Sequence, residues 1–446
     1  METLDSLNAG LASGRLADCT TLKLADDLDE FPKQILQLAD SLTFLNLSNN
    51  RLRQLPPEFS QLKKLRIVFF NNNNFETFPT VLAACPQLSM VSFKENAIES
   101  LSPQALSPTL RWLILTNNQL SELPATIGQL PKLQKLMLAG NRLETVPEAL
   151  ANCTNLELIR LSANRLKTLP RWLFHMPRLS WLAYAGNPCC PSEPANSAQQ
   201  SLPTIASHEL QQGEILGQGA SGVIYKGTWL SDASEPSNPE RTAQPSEVAI
   251  KLFKGEITSD GSPLDEMQAC IAAGRHPNLV NVLGRYHEPD KTGLVFSFIP
   301  STYKNLGNPP SLETCTRDTY DVEVSFSLSR LLKIIKGMAS VVSHLHSRGI
   351  MHGDLYAHNI LIDETGHSIL GDFGAASFCD VAAVGSALER LEVRAFGCLL
   401  EDLLLRCSAP QSKILNALAE RQAACMQTDS EKRPLFEEIC QQLAAL

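Results

Sequence analysis

Leu133-x-x-Leu136-x-Leu138-x-x-Asn141-x-Leu143 is the stretch that decides the fold of the N-terminal half of this chain. The same phrase recurs, with its asparagines separated by 22 or 23 residues. These asparagines are Asn50, Asn73, Asn96, Asn118, Asn141, Asn164 and Asn187. The alternating leucines predict a short strand with one face directed inward. The asparagine amide can satisfy backbone groups where the chain turns out of that strand, so the phrase predicts a stack of short repeats.

A proline follows most copies and marks the turn away from the strand. These prolines are Pro56, Pro79, Pro124, Pro147 and Pro170, with Pro103 one place late in the shortened third copy. Leu22-x-Leu24 followed by Phe31-Pro32 predicts a degenerate first copy, because one side of a terminal repeat must face water. The phrase and the repeat length are similar to those of leucine-rich repeats. We therefore expect an α/β leucine-rich repeat solenoid over residues 19–188.

The non-leucine positions of the strands predict the concave surface of this solenoid. The residues before the middle leucine are Phe44, Ile67, Met90, Trp112, Lys135, Leu158 and Trp181. Two places later the residues are Asn46, Phe69, Ser92, Ile114, Met137, Arg160 and Ala183. An apolar and aromatic stripe of this kind favours a protein substrate or regulator on the concave face. The alternative is that another part of the same chain covers it.

Composition and charge narrow the function classes. The 446 residues suffice for two domains or more, and the net charge of -9 gives no general attraction to nucleic acid or to an anionic membrane. Residues 1–14 lack the basic start and apolar core of a secretory signal, and no apolar stretch is long enough to span a bilayer. We therefore expect a cytoplasmic protein. Twelve cysteines without paired metal-site spacing predict buried, reduced thiols.

Proline-rich and polar stretches divide the rest of the chain. Residues 189–208 have no periodic pattern and several prolines, which predicts a linker between the solenoid and a second domain at 209–446. Residues 231–247 predict a similar loop inside the second domain. Residues 301–321 predict another loop between two lobes.

The second domain begins with a glycine loop, Gly217-Gln218-Gly219-Ala220-Ser221-Gly222-Val223. The spacing also fits a dinucleotide-binding fingerprint, but that motif must open a helix. Here residues 223–229 are rich in β-branched and aromatic side chains and predict a strand. A Walker-type loop is excluded because no Gly-Lys-Ser/Thr follows. A hairpin with glycines at its tip can cover phosphates with backbone N–H groups.

Three further motifs follow the glycine loop in order. They are Val248-Ala249-Ile250-Lys251, His352-Gly353-Asp354 with Asn359 five residues after the aspartate, and Asp372-Phe373-Gly374. Together the four elements resemble the signature of eukaryotic-type protein kinases. The resemblance implies a two-lobe α+β kinase domain that uses ATP and Mg²⁺, with a Ser/Thr hydroxyl of a protein as the acceptor.

The resemblance also implies roles for individual residues. Lys251 would hold phosphates and pair with Glu266, with Asp265 as the alternative partner. Asp354 would accept the substrate proton, and Asn359 and Asp372 would hold the metal. The implied nucleotide site consists of Gly217, Gly219, Ser221, Gly222, Val223, Ala249, Lys251, Glu266, Ser297, Phe298 and Ile299.

The resemblance implies other roles for two further positions. Phe296 falls at the gatekeeper position, before the strand end that would meet adenine. His352 is implied to be structural, packed near Phe373.

Several positions depart from the family pattern. Gly353 replaces the arginine that normally binds an activation-loop phosphate, which implies that this switch is absent. Tyr356 stands where Ser/Thr kinases usually carry lysine, so the class of acceptor hydroxyl stays open. Residues 374–389 are short, and Ala387-Leu388-Glu389 is the nearest match to Ala-Pro-Glu. Glu392 opens a stretch that resembles the helix start that normally carries aspartate, and Arg433 resembles the late arginine that would pair with the missing glutamate.

Two hypotheses follow. In the first, the domain is an active kinase, because Lys251, Asp354, Asn359 and Asp372 are retained together. In the second, it is a weak or inactive pseudokinase, and the repeats act as an interaction scaffold. The short segment after Asp372-Phe373-Gly374 favours the second.

Overall fold

The computed structural model describes residues 3–191, 202–230, 245–255, 257–380 and 385–446. Half of the predicted linker at 189–208 and most of the loop at 231–247 lie outside these ranges. The chain divides into two compact units. The first comprises Met1–Leu179 with Asn187–Cys189, and the second comprises Ser180–Gly186 with Cys190–Leu446.

The first unit is the repeat array. It opens with helix α1 (Leu4–Ala12), which Thr3 caps by accepting from Ser6 N–H. Seven three-residue strands then pair in parallel and in register: β1 (Thr21–Lys23), β2 (Phe44–Asn46), β3 (Ile67–Phe69), β4 (Met90–Ser92), β5 (Trp112–Ile114), β6 (Lys135–Met137) and β7 (Leu158–Arg160). Short 3₁₀ helices follow most strands, each beginning after a proline. The leucine-rich repeat prediction, including the degenerate first copy, is therefore confirmed.

A ladder of asparagines ties the repeats together as the sequence predicted. Asn141 Nδ2 donates to Leu115 O at 2.8 Å and Leu138 O at 2.9 Å, and its Oδ1 accepts from Leu120 N at 3.0 Å. Asn164 makes the same three contacts one repeat later. Each amide therefore satisfies backbone groups of its own repeat and of the one before it.

The stripe predicted for the concave face is only partly accessible. Met90 and Leu158 are buried, whereas Phe44, Ile67, Phe69 and Trp112 are half-buried. The surface that this unit offers is therefore centred on strands β2, β3 and β5.

The second unit begins with the last repeat strand, β8 (Trp181–Ala183), and continues with a six-stranded sheet. This sheet has the order β10-β11-β12-β14-β13-β9. Its strands are β9 (Thr204–Ala206), β10 (Leu210–Gln218), β11 (Gly222–Trp229), β12 (Ser246–Phe253), β13 (Val282–Glu288) and β14 (Lys291–Ser297). Helix α2 (Pro263–Ala273) follows β12. The strand predicted after the glycine loop is confirmed as β11, and β9 lies within the stretch predicted as linker.

Helices dominate the remainder of the second unit. They are α3 (Leu328–Ser347), α4 (Ser386–Leu405), α5 (Lys413–Cys425) and α6 (Phe436–Ala444). Short strands lie among them: β15 (Lys304–Asn305), β16 (Ile350–Met351), β17 (Ile360–Ile362), β18 (Ser368–Leu370) and β19 (Ser377–Phe378). Ser327 caps α3 by accepting from Arg330 N–H, and one face of this helix is buried as its apolar periodicity predicts. The predicted two-lobe α+β arrangement is confirmed.

No helix in the described ranges is long and apolar enough to cross a membrane. All twelve cysteines fall within these ranges as thiols outside any disulfide, and most are buried.

Candidate active site

A glycine hairpin covers a cavity in the second unit. Strands β10 and β11 are antiparallel, and Gly219 N–H donates to Gly222 O at 2.9 Å across the turn. A Cβ on Gly222 would lie 2.3 Å from Leu252 O, so the neighbouring strand requires glycine there. Nothing lies within 4 Å of a Cβ on Gly217 or Gly219, so the hairpin borders open space at these two positions.

The cavity has a volume of about 270 Å³ and is bounded by the hairpin, β12 and the Asp-Phe-Gly motif. It is lined by Gly217, Gln218, Gly219, Ala220, Ser221, Gly222, Ile224, Lys251, Thr258, Asp260, Asp372 and Gly374. The structure thus brings together the predicted glycine loop, Lys251 and Asp372. Val223, Ala249 and residues 297–299 are not among the lining residues. Thr258 and Asp260 are lining residues that no sequence motif indicated.

Lys251 on β12 forms an ion pair with Glu266 on α2, rather than with Asp265. Both side chains are largely withdrawn from water, with exposures of 13% for Lys251 and 2% for Glu266. Burial disfavours the charged ammonium, but Glu266 and Asp372 outweigh it and raise the pKa of Lys251 above its ordinary value. A fixed positive charge therefore faces the cavity beneath the glycine hairpin.

The predicted catalytic loop lies between β16 and β17. Asn359 Nδ2 donates to Asp354 Oδ2 at 2.8 Å and to Asp354 O at 3.0 Å. These bonds hold the Asp354 carboxylate in place. They also leave the amide oxygen of Asn359 as the atom that can bind a cation.

His352 is fully buried and anchors this loop through its two ring nitrogens. Its Nε2 donates to Gly371 O at 2.9 Å, and its Nδ1 accepts from Asp354 N–H at 3.3 Å. The imidazole lies 5.2 Å from the Phe373 ring, measured between centroids. The structure places His352 between two motifs, in a position that suits the structural role implied by the sequence.

Asp372 adopts a left-handed backbone conformation, with φ of 53°. Its Oδ1 accepts from Gly374 N–H at 3.1 Å, and Gly371 N–H donates to Asn359 O at 3.0 Å. A non-glycine residue in this region is strained and is held there by its surroundings. The bond from Gly371 ties the Asp-Phe-Gly strand to the catalytic loop, which fixes Asp372 relative to Asn359.

The positions implied to meet adenine lie at the end of β14. In the sheet register, Phe296 opposes Ala249 and Ser297 opposes Val248 on β12. Ser297 N–H donates to Asn281 O at 2.9 Å and is therefore engaged within the protein. Phe298 is half-buried and lies 4.8 Å from Lys226 Nζ, measured to the ring centroid.

Asp318 is a site residue that the sequence analysis missed. It lies in the stretch predicted as a loop, yet its carboxylate accepts from Ala357 N–H at 2.5 Å and from His358 Nδ1 at 2.7 Å. Its side chain is 3% exposed. Asp318 therefore supports the catalytic loop at Ala357 and His358. The sequence carried no signal for it beyond an acidic residue in a polar stretch.

Glu392 on α4 occupies the position where the family carries aspartate. Its carboxylate accepts from Gly353 N–H at 2.7 Å and from His352 N–H at 3.3 Å. His346 on α3 donates to Glu392 at 2.5 Å and lies 3.8 Å from Glu389. Burial opposes the charge of His346, but the carboxylates of Glu389 and Glu392 override it and raise its pKa to about 9. The longer glutamate thus still reaches the loop backbone.

The segment after Asp-Phe-Gly is as short as the sequence suggested. Strand β19 follows Gly374 closely, and α4 begins at Ser386, with residues 381–384 outside the described ranges. Arg433, almost fully buried, donates to the backbone oxygens of Gln427 and Arg390. Burial lowers the pKa of Arg433 to about 10. Glu389, the nearest match to the family glutamate, accepts from Phe436 N–H at 2.6 Å.

Comparisons with known proteins agree with this geometry. Residues 210–390 match the protein tyrosine and serine/threonine kinase family. Leucine-rich repeat families match residues 41–62, 86–143, 108–166 and 131–188.

Curated relatives match part of the chain. The chain is 29% identical over 243 residues to the L-type lectin-domain containing receptor kinase V.9 of Arabidopsis thaliana, covering 47% of this chain and 33% of the relative. It is 32% identical over 180 residues to the putative L-type lectin-domain containing receptor kinase V.6 of the same plant, covering 39% and 31%. A putative serine/threonine-protein kinase/receptor R826 of Acanthamoeba polyphaga mimivirus is 32% identical over 178 residues, covering 39% and 9%. The chain spans a third or less of the length of these relatives, and it joins regions that match leucine-rich repeats to a region that matches the protein kinase family.

Proposed function

We propose that this protein is an active kinase that transfers the γ-phosphoryl group of ATP to a Ser or Thr hydroxyl of a protein partner. The observation that carries the proposal is the arrangement at the cavity. Lys251, paired with Glu266, and Asp372 line it beneath the glycine hairpin, and Gly371 ties Asp372 to the Asp354–Asn359 pair. Catalysis of phosphoryl transfer consists mainly of positioning and charge stabilisation, which is what these groups supply.

Each group has a distinct part. The glycine hairpin, which borders open space at Gly217 and Gly219, would cover the phosphates, and the Lys251 ammonium would neutralise their charge. Asp354, oriented by Asn359, would accept the proton of the attacking hydroxyl. Val223, Ala249 and the backbone of Ser297, Phe298 and Ile299 would surround the adenine.

The residues present also fit a magnesium ion. Asp372 supplies a carboxylate on the cavity, and Asn359 supplies an amide oxygen whose partner nitrogen is already bonded to Asp354. Mg²⁺ prefers such oxygen ligands, and it would neutralise charge on the phosphates. Asp372 and Asn359 are therefore the residues that would hold it.

The test is transfer of labelled γ-phosphate, with magnesium, to a generic protein substrate and to the protein itself. Asp354→Asn is the matched variant, because it removes the base and keeps the shape. We expect its turnover to fall by roughly 10²–10⁴-fold with nucleotide binding retained. Phosphoamino-acid analysis of the product identifies the hydroxyl class. Nucleotide binding without transfer in the unsubstituted protein would contradict the proposal and favour the pseudokinase scaffold.

The repeats are proposed to select the partner on their concave face. Phe44, Ile67, Phe69 and Trp112 are half-buried there, and Lys135 Nζ lies 4.2 Å from the Trp112 ring centroid. Aromatic residues of this kind are enriched at protein interfaces. Tethering a partner here would raise its effective concentration beside the kinase domain. Trp112→Ala is expected to raise the KM for a partner protein and leave the KM for ATP unchanged. A cytoplasmic location stays a prediction from the sequence.

A further inference from the structure

The last repeat strand packs against the catalytic loop inside the second unit. The Trp181 indole stacks on the Tyr356 ring, with centroids 4.4 Å apart and planes inclined by 7°. Trp181 Nε1 also donates to Leu355 O at 3.2 Å. Trp181 is 2% exposed and Tyr356 5%. This contact is therefore a packed part of the loop that carries Asp354.

The same segment also holds the strand that follows Asp-Phe-Gly. Tyr184 N–H donates to Ser377 Oγ at 3.0 Å, and the Tyr184 hydroxyl donates to Phe378 O at 2.9 Å. On its other side, β19 pairs with β16, where Phe378 opposes Ile350. Strand β19 is thus fixed between β16 and the segment Ser180–Gly186.

Gly353 shows how closely this segment approaches the loop. Its φ is +73°, and a Cβ there would lie 2.6 Å from both Leu182 O and Ala375 O. A side chain cannot be accommodated at that distance, so an arginine at this position is incompatible with the docked strand. On α4, Arg394 Nη1 donates to Ser180 Oγ at 2.7 Å, which anchors the start of the segment.

We propose that Ser180–Gly186 is a positioning element of the kinase site, with Trp181 as its central residue. It fixes the catalytic loop and β19 in the way that an arginine bound to an activation-loop phosphate would otherwise do. This inference rests on the proposed kinase function. It gives one physical cause to three departures in the sequence: Gly353, Tyr356 and the short segment after Gly374.

The arrangement favours positioning over blockage. Residues 180–186 do not line the cavity beneath the glycine hairpin. With the segment in place, Lys251 is paired with Glu266, and Asp354 is bonded to Asn359. The docked strand and the assembled catalytic groups therefore coexist in one conformation.

Steady-state kinetics of three variants test the proposal. Trp181→Ala removes the stack and the indole donor, Trp181→Phe keeps a ring on Tyr356, and Trp172→Ala removes a tryptophan from the 3₁₀ helix Arg171–His175 of the same repeat. Because small displacements of catalytic groups are costly, we expect Trp181→Ala to lower kcat by roughly 10–100-fold. The KM for ATP should change less than about twofold, since the segment does not line that cavity. Trp181→Phe should restore most of kcat, and Trp172→Ala should match the unsubstituted protein.

An unchanged kcat in Trp181→Ala would overturn the proposal. An increased kcat would also overturn it, because it would show that the segment inhibits catalysis. If Trp181→Ala does not fold, Tyr184→Phe removes only the hydrogen bond to Phe378 O and should also lower kcat with an unchanged KM for ATP. No change in that variant would then overturn the proposal.

Hydrogen exchange separates this proposal from the kinase function itself. If the unsubstituted protein transfers no phosphate, the proposed function fails. The positioning claim is then read from the amides of residues 354–359 and 377–378. Faster exchange there in Trp181→Ala than in Trp172→Ala supports the claim. Equal exchange contradicts it.

Discussion

Asn141 is buried, and its side chain bonds three backbone groups that the turn out of the strand would otherwise leave unpaired. The sequence predicted this role because the asparagine recurs at a fixed place in a short phrase. Asp318 likewise accepts hydrogen bonds from Ala357 N–H and His358 Nδ1 in the catalytic loop. It belongs to no repeat or motif, so this role could not be predicted from the sequence. The hydrogen-bonding role of a side chain can thus be predicted where the sequence repeats a pattern. It cannot be predicted where the side chain contacts a segment that is distant in the sequence.

The asparagine ladder gives the first prediction at this scale. Asn141→Ala leaves buried backbone groups without partners, so we expect the free energy of unfolding of the repeat unit to fall by roughly 2–4 kcal/mol. Asn155→Ala is the control, because Asn155 makes an exposed bond to Pro131 O and should cost less than about 0.5 kcal/mol. Chemical denaturation followed by circular dichroism measures both. Equal losses would contradict the role of the ladder.

The Lys251–Glu266 pair gives the second prediction at the scale of the residue. Glu266→Gln removes the counter-charge of a largely buried ammonium, so we expect a loss of about 3 kcal/mol in stability. The KM for ATP should rise, because Lys251 is no longer held toward the phosphates. Asp265→Asn changes the neighbouring carboxylate, which is outside the pair, and should leave the KM for ATP unchanged. A larger effect of Asp265→Asn on that KM would contradict the assignment of Glu266.

Helices α3 and α4 meet through a buried cluster that the sequence indicated only in part. The sequence placed Glu392 at the start of a helix, whereas α4 begins earlier, at Ser386. It did not indicate that His346 would lie between Glu389 and Glu392, because contact between two helices depends on their packing. Similarly, the apolar run 223–229 predicted β11, whereas β9 has only three residues and was not recognised. Elements with a long pattern are predictable, and short ones are set by their neighbours.

This cluster makes stability depend on pH. The pKa of His346 is about 9 in the folded protein and about 6.5 in an unfolded chain, so protonation favours folding. Its contribution is complete below pH ~6.5 and is lost as pH rises through about 9. Despite burial, His346 lowers the pKa of Glu389 and Glu392, so their contribution is present above pH ~4.5 and is lost on further acidification.

The measurement compares the unsubstituted protein with His346→Gln. We expect the difference in free energy of unfolding to be largest between about pH 4.5 and 6.5 and to shrink as pH rises through about 9. Urea denaturation across this range gives the difference directly. A constant difference at all pH values would show that His346 acts only through packing.

At the scale of the molecule, the sequence predicted both domains because each carries a repeated or ordered set of motifs. It also predicted that Gly353 and the short segment after Gly374 depart from the family pattern. The reason for these departures could not be predicted, because it lies in a strand more than a hundred residues earlier that looked like one more repeat. The contacts of Trp181 and Tyr184 with the catalytic domain supply that reason.

An arrangement held by packing should not depend on an activation-loop phosphate. We expect the kcat of the purified protein to change less than about twofold after complete dephosphorylation by a phosphatase, because Gly353 offers no cation to bind a phosphate. Mass spectrometry before and after treatment controls for the extent of dephosphorylation. A large loss of kcat that reverses on autophosphorylation would contradict this expectation.

The most direct test of the account is γ-phosphoryl transfer by the dephosphorylated protein with ATP and magnesium, compared with Asp354→Asn. The account predicts label in a protein substrate and its loss in the variant, with nucleotide binding retained in both. Nucleotide binding without transfer in the unsubstituted protein would contradict it, and the repeats would then be the part of the chain that carries the function.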